Sequence, residues 1–217
     1  LYGTEKNVKF TCADIRSWQL DQPIDLYLSC GVPYSHLTTD ELYKALQLIV
    51  ASVQKQGMRC AVIIDVLGKY SIEWTPQWQH TRWNYCMSFI ETKQEQAEML
   101  MSFYSHHQLQ QLMESAAQSQ GCSIEKTAFF DRSIMVGRHT STQQFNPHLS
   151  PYRDLINSLF DSEKVTDLAE LIFLPPKGQA PKYILAFFQQ FSGWWNTLVA
   201  QASQLLGEPL SITPATL

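Results

Sequence analysis

The sequence has little positive charge and no basic cluster. Its 217 residues include 16 Lys and Arg against 20 Asp and Glu, a formal net charge of −4. A protein whose main partner is nucleic acid usually presents a basic patch, because Lys and Arg hold the phosphate backbone. The charge pattern therefore argues against nucleic acid as the main partner, and it is compatible with a small-molecule substrate.

Paired cysteines are also missing. The five cysteines are scattered singly, without a CxxC pair: Cys12, Cys30, Cys60, Cys86 and Cys122. This distribution is typical of free thiols in a reducing compartment rather than of disulfides. We therefore expect a cytoplasmic protein.

One long segment lacks charge altogether. No charged residue occurs from Tyr183 to Gly207, which raises the question of a membrane span. The segment carries five amides, however, and polar side chains at that frequency are costly in hydrocarbon. We expect a helix buried against protein instead. Its predicted apolar stripe is Ile184, Phe187, Phe188, Phe191, Trp195, Leu198, Ala202 and Leu205.

What the sequence does contain is an alternation of strands and helices. Apolar runs predict strands at 8–12, 24–29 and 58–65. Between the last two runs, Thr38 and Glu41 form a capping box that opens a helix, and Gly57 is suited to end it. Strand–helix–strand alternation with nearly continuous apolar strands indicates a doubly wound α/β sheet.

The remaining segments complete the predicted organisation. Residues 75–104, within an aromatic-rich stretch, show no clean strand or helix period and are predicted to form a lid. A helix follows at 105–118, and strands at 124–130 and 134–138 are predicted to end the sheet as an antiparallel hairpin. We assign residues 1–145 to the core with its lid, and residues 146–217 to a C-terminal helical extension.

The series Val8–Asp14, Ile24-Asp25-Leu26 and Ile63-Ile64-Asp65 resembles the back half of a class I S-adenosylmethionine (SAM) dependent methyltransferase. The resemblance implies a Rossmann-like sheet with SAM as cofactor. The family's glycine-rich loop is expected before Leu1, so the chain is expected to be N-terminally incomplete. A narrower resemblance, on residues 130–140 and 145–148, is to bacterial methyltransferases of natural-product pathways and polyketide assembly lines.

Several residue roles follow from the resemblance. Asp14 is implied to accept a hydrogen bond from the adenine amino group, while the Ile15 backbone N–H reaches the ring. The loop after the next strand, with Cys30, Gly31 and Val32, is implied to lie beside the methionine part of the cofactor. This placement agrees with the general rule that ligands of open α/β sheets bind at the carboxyl ends of strands.

The candidates for catalysis follow the same strand ends. Tyr34 and His36 could face the substrate with His36 as base, although a histidine at such a position is more often a surface-loop residue. His106 and His107 begin the helix after the lid and are further candidates, or solvent-facing helix-start residues. The predicted lid aromatics are Tyr70, Trp74, Trp78 and Tyr85, whose alternative role is ordinary core packing.

The sequence leaves open whether the protein uses a metal ion. The six histidines have no HxH or HExxH spacing, so the metal signal is weak. A metal that polarises a dicarbonyl would ease carbanion formation. The pool of ligands would be His36, His80, His106 and His107.

We expect SAM-dependent methyl transfer to a small-molecule or carrier-tethered metabolite, with C-methylation in natural-product biosynthesis as one form of it. The competing hypothesis is a non-catalytic, methyltransferase-like structural domain of a multidomain synthase. In either case neighbouring domains of a larger protein are expected partners. A dinucleotide-dependent oxidoreductase shares the fold class, but no hydride-transfer constellation follows in the sequence.

Overall fold

The computed structural model describes residues 8–18, 22–57, 59–86, 98–131 and 146–206. The chain divides into two compact units. Unit 1 is drawn from Leu1–Val66 and His106–Phe129, and unit 2 from Leu67–Ser105 and Phe130–Leu217. This division differs from the predicted boundary at residue 145. The aromatic stretch belongs with the C-terminal part because Trp78 stacks on Phe188, with ring centroids 5.6 Å apart.

Unit 1 is built on a strand–helix–strand motif. Strands β1 (Leu26–Leu28) and β2 (Ala61–Ile63) are parallel neighbours, and helix α1 (Thr39–Gln56) connects them. The capping box is present, since the Thr38 hydroxyl accepts from the Glu41 N–H and the Glu41 carboxylate accepts from the Thr38 N–H. Gly57 ends α1 with φ of +64°, a conformation that favours glycine. Both helix signals in the sequence are therefore confirmed.

A second helix packs against α1. Helix α2 (His106–Ser119) matches the predicted helix at 105–118 and buries Leu109 and Ala116. The facing side of α1 buries Leu42 and Leu46. Burial of these apolar faces supplies the main stabilisation of such a pair.

The strands of unit 1 are shorter and more exposed than predicted. Residues 8–12 and 124–130 contain no strand, and the predicted strand at 134–138 lies outside the described residues. β2 was predicted to be buried on both faces, yet Val62 and Ile63 are exposed. A parallel strand becomes buried only when other elements cover it, and within the described residues β1 and β2 pair only with each other. The described chain is therefore α/β with small sheets.

Unit 2 contains a mixed sheet of three strands in the order β3 (Leu67–Gly68), β5 (Glu98–Tyr104) and β4 (Arg82–Cys86). β5 runs parallel to β3 and antiparallel to β4. Two 3-10 turns at Ile72–Gln77 precede β4. Residues 75–104, in which the sequence showed no clean strand or helix period, thus contain two paired strands, and their role as a lid stays a prediction. β4 does alternate, with Trp83 and Tyr85 between Arg82, Asn84 and Cys86, but β5 does not, since residues 99–101 are all apolar.

The C-terminal part of unit 2 is helical, as predicted. Helix α3 (Tyr152–Ser158) is followed by a 3-10 turn at Leu168–Leu171 and by the long helix α4 (Lys182–Leu206). The buried face of α4 differs from the predicted stripe. It consists of Phe188, Ser192, Asn196, Val199 and Ser203. No helix in the described part of the chain is long and apolar enough to cross a membrane.

Candidate functional site

The loop after β1 has an unusual backbone. Gly31 and Val32 are consecutive residues with positive φ, +83° and +56°. A β-branched residue rarely adopts this conformation, which carries a strain on the order of 1–3 kcal/mol. The loop begins at the carboxyl end of β1, where the Ser29 N–H donates to the Ile63 carbonyl of β2 at 2.9 Å. Cys30 and Gly31 are exposed, and a Cβ at Gly31 would meet no atom within 4 Å. The backbone of this loop is thus accessible.

Asp14 lies in a tight turn that Arg16 closes. The Arg16 N–H donates to the Asp14 carboxylate at 2.9 Å, and its guanidinium donates to the same carboxylate at 2.7 Å. These hydrogen bonds lower the pKa of Asp14 to about 2, so the carboxylate is ionised at neutral pH. Its side chain is 47% exposed. Asp14 therefore offers an accessible anionic acceptor.

Arg16 also joins this turn to helix α1. Its guanidinium donates to the Glu41 carboxylate at 3.2 Å, and Glu41 is the capping-box residue in the first turn of α1. Hydrogen bonds from Thr38 and, to a smaller extent, from Arg16 lower the pKa of the Glu41 carboxyl. α1 is the helix that follows the β1 loop in the chain. The Asp14 turn therefore lies at the N-terminal end of α1, which is the end that the β1 loop leads into.

Tyr34 does not face an open site. It lies in a 3-10 turn at Pro33–His36, is 1% exposed, and its hydroxyl bonds to the hydroxyl of Tyr27 on β1. Burial, assisted by this bond, raises the pKa of Tyr34, so the phenol stays protonated. The Tyr34 side chain anchors the loop to β1, and its contact with a substrate stays a prediction.

The candidate histidines are exposed but are not gathered into one cluster. His36 ends the 3-10 turn after the β1 loop. His106 and His107 occupy the first turn of α2, with ring centroids 4.0 Å apart, and His80 belongs to unit 2. Within the described ranges no group of three His, Cys, Asp or Glu side chains could hold a metal ion. The metal hypothesis thus gains no support from geometry.

The predicted lid aromatics form part of a buried core. Trp74 contacts Tyr85 and Phe103 with ring centroids 6.2 and 5.5 Å away, and Trp83 stacks on Phe103 at 4.0 Å. Tyr70 meets Trp78 edge to face at 5.5 Å. The core-packing alternative therefore describes Trp74, Trp78 and Tyr85, which are buried. Their role over a substrate stays a prediction.

Two features of the site were missed at the sequence level. Arg16 was passed over, although an Asp-x-Arg turn is a recognisable signal for a local ion pair. Nothing in the sequence indicated the positive φ of Val32, since valine normally avoids that conformation.

A groove of about 470 Å³ beside α2, bounded by Cys122–Thr127, contains none of the predicted site residues.

Comparison with known proteins adds no relative. No protein-family model, curated protein or solved structure matches the chain. The functional assignment therefore depends on the residues and the geometry described above.

Proposed function

We propose that the chain binds SAM and takes part in methyl transfer, as a class I methyltransferase of the natural-product type. The observation that supports this best is the arrangement around β1. The Cys30–Val32 loop follows β1 of a parallel strand–helix–strand unit, and the Asp14 turn is ion-paired to the first turn of its helix. Ligands of α/β folds bind at such strand ends.

The residues present fit the adenosine and methionine parts of SAM. Arg16 donates two hydrogen bonds to each oxygen of the Asp14 carboxylate, so the adenine amino group would take the place of one of these donors on the half-exposed carboxylate. The Ile15 N–H would donate to a ring nitrogen. Backbone carbonyls of the exposed residues Cys30 and Gly31 would accept from the ammonium group, whereas the Val32 carbonyl already accepts from the Ser35 N–H.

Methyl transfer requires little from the protein beyond positioning the reactants and accepting a proton. Bound SAM would supply an electrophilic methyl group on its sulfonium, with the neutral thioether as leaving group. His36 is the candidate base for the nucleophile's proton, since it is exposed and follows the β1 loop. Tyr34 acts as a positioning residue through its bond to Tyr27.

The proposed substrate is a small molecule or a carrier-tethered metabolite, with carbon as one candidate acceptor atom. His106 and His107 remain further candidates for the base, because their imidazoles are exposed at the start of α2. The substrate lid remains a proposal for Tyr70, which is less buried than the other three aromatics. We propose the cytoplasm as the location on the strength of the unpaired cysteines.

A structural role in a multidomain synthase is the second candidate. Apolar residues on one face of β1 and β2, including Leu26, Leu28 and Ile63, are exposed in unit 1. Such a face is typical of a surface that meets another domain. The packed aromatic core of unit 2 also suits a structural element, since it gives Trp74 and Trp78 a role without substrate.

Calorimetric titration of SAM tests the proposal. We expect binding by the chain or, where the gene encodes residues before Leu1, by that longer form. Asp14→Ala should weaken binding by about 1–3 kcal/mol, because the adenine amino group loses its acceptor. The control is Asp40→Ala, which removes the same charge from an exposed position in the first turn of α1.

The two variants separate the outcomes. If Asp14→Ala and Asp40→Ala bind with the wild-type dissociation constant, the adenine site is placed wrongly. A folded protein that takes up no SAM in any form contradicts the enzyme and supports the structural role.

A further inference from the structure

Helix α4 has a second apolar face that points to solvent. Its packed face carries Phe188, Ser192 and Asn196. At 100° per residue, another row lies well away from that face, with members three or four residues apart. We call this row the outer stripe. It consists of Phe187, Gln190, Trp194, Leu198, Gln201 and Leu205. Trp194, Leu198 and Leu205 are 60%, 62% and 88% exposed.

We propose that the outer stripe is the surface through which two copies of this chain associate. Lys182 is the only charged residue of α4, so two copies can meet here without repulsion between like charges. A lipid surface is a poorer occupant, because helices that lie on membranes usually carry Lys and Arg on their polar face. A charged protein is also a poorer occupant, because the outer stripe carries no charge to which it could bind.

The stripe is complementary to itself. The side-chain amides of Gln190 and Gln201 are each a donor and an acceptor, so the same residue types can pair across a two-fold axis. Side chains spaced three and four apart form the ridges by which helices pack side by side. A helix of 25 residues gives such a contact a length of about 37 Å.

The exposed area is large enough for a reversible dimer. From typical side-chain areas, the outer stripe exposes on the order of 500 Å² per copy. Pairing two copies would then bury roughly 1,000 Å², the lower limit for a specific interface. We therefore expect an association that depends on concentration.

Sedimentation velocity of the full chain across the micromolar range tests this proposal. The wild-type chain should shift from the mass of one copy to the mass of two as concentration rises. Leu198→Glu places a carboxylate from each copy in the contact and should raise the dimer dissociation constant at least about tenfold. Phe160→Glu is the matched control, because Phe160 is also apolar and exposed but lies outside α4. It should leave the dissociation constant unchanged.

Thermal melting by circular dichroism confirms that both variants keep the fold. Three results overturn the proposal: a wild-type chain that stays monomeric throughout, a dimer that survives Leu198→Glu, or a dimer that dissociates with Phe160→Glu. Binding of a monomeric chain to phosphatidylcholine vesicles, abolished by Leu198→Glu, would assign the stripe to lipid and also overturn it.

Discussion

At Gly178 the structure leaves no room for a side chain. A Cβ at this position would lie 2.7 Å from Cε3 of Trp78 and 3.1 Å from Cγ2 of Thr75. The Trp78 ring cannot move away easily, because its Nε1 donates to the Ser71 carbonyl at 2.9 Å and its face stacks on Phe188. The glycine is therefore required by a close approach of the chain to a buried ring.

Gly178→Ala should lower the free energy of unfolding by about 1–3 kcal/mol, the usual cost of overpacking a fixed core. Gly193→Ala is the matched substitution, since a Cβ there meets no atom within 4 Å and the residue lies inside α4. It should raise the free energy by about 0.5–1 kcal/mol, because alanine favours the helix. Urea denaturation measures both. Equal effects of one sign would contradict the close approach at Trp78.

Residue-scale chemistry was predictable where it depends on near neighbours. Thr38 and Glu41 cap α1 as expected, and Gly57 ends it. The resemblance implied that Asp14 binds the adenine, which stays a prediction, while its ion pair with Arg16 could have been found from the two-residue spacing. The burial of Tyr34 was not predictable, because it depends on Tyr27 from a neighbouring element.

At the scale of elements, one side chain joins α4 to the segment before it. The Asn196 side chain accepts from the Phe173 N–H at 3.2 Å and donates to the Phe173 carbonyl at 3.0 Å. Trp195 Nε1 donates to the Leu171 carbonyl, and the Tyr152 hydroxyl donates to the Ile172 carbonyl. Side chains of α3 and α4 thus satisfy the backbone of an irregular segment that lies between them.

Asn196→Ala should lower the free energy of unfolding by about 2–4 kcal/mol, because it leaves a buried donor and a buried acceptor without partners. Gln189→Ala removes an exposed amide from the same helix and should change it by less than about 0.5 kcal/mol. Thermal and urea denaturation followed by circular dichroism compare the two. A loss as small for Asn196 as for Gln189 would show that the Phe173 contacts do not hold α4 in place.

Helices were predicted better than strands for a physical reason. α1, α2 and α4 carry local signals, which are caps and apolar residues spaced three or four apart, and their bounds lie close to those expected. The strands at 8–12 and 124–130 were inferred from apolar runs, yet a strand exists only when a partner pairs with it. Conversely, β4 and β5 pair in the segment where no strand was expected. The predicted buried face of α4 was wrong because two polar residues, Asn196 and Ser192, are buried and their side chains form hydrogen bonds there.

At the scale of the whole molecule, the two units have different kinds of core. Unit 1 has aliphatic packing between α1 and α2 and carries the proposed cofactor residues. Unit 2 is dominated by aromatic rings drawn from its sheet, its 3-10 turns and α4. The central functional claim therefore concerns unit 1, while the proposed association of two copies concerns unit 2. Evidence against the cofactor site would therefore not count against the association of two copies, and the reverse also holds.

Hydrogen–deuterium exchange of the full chain, with and without SAM, tests the central claim most directly. Bound SAM should slow exchange at backbone amides in residues 14–18 and 29–34, because the adenine and methionine parts would contact these two segments. The amides of residues 182–206 should be unaffected. Protection confined to unit 2, or identical exchange in the presence of saturating SAM, would contradict a SAM site at the end of β1.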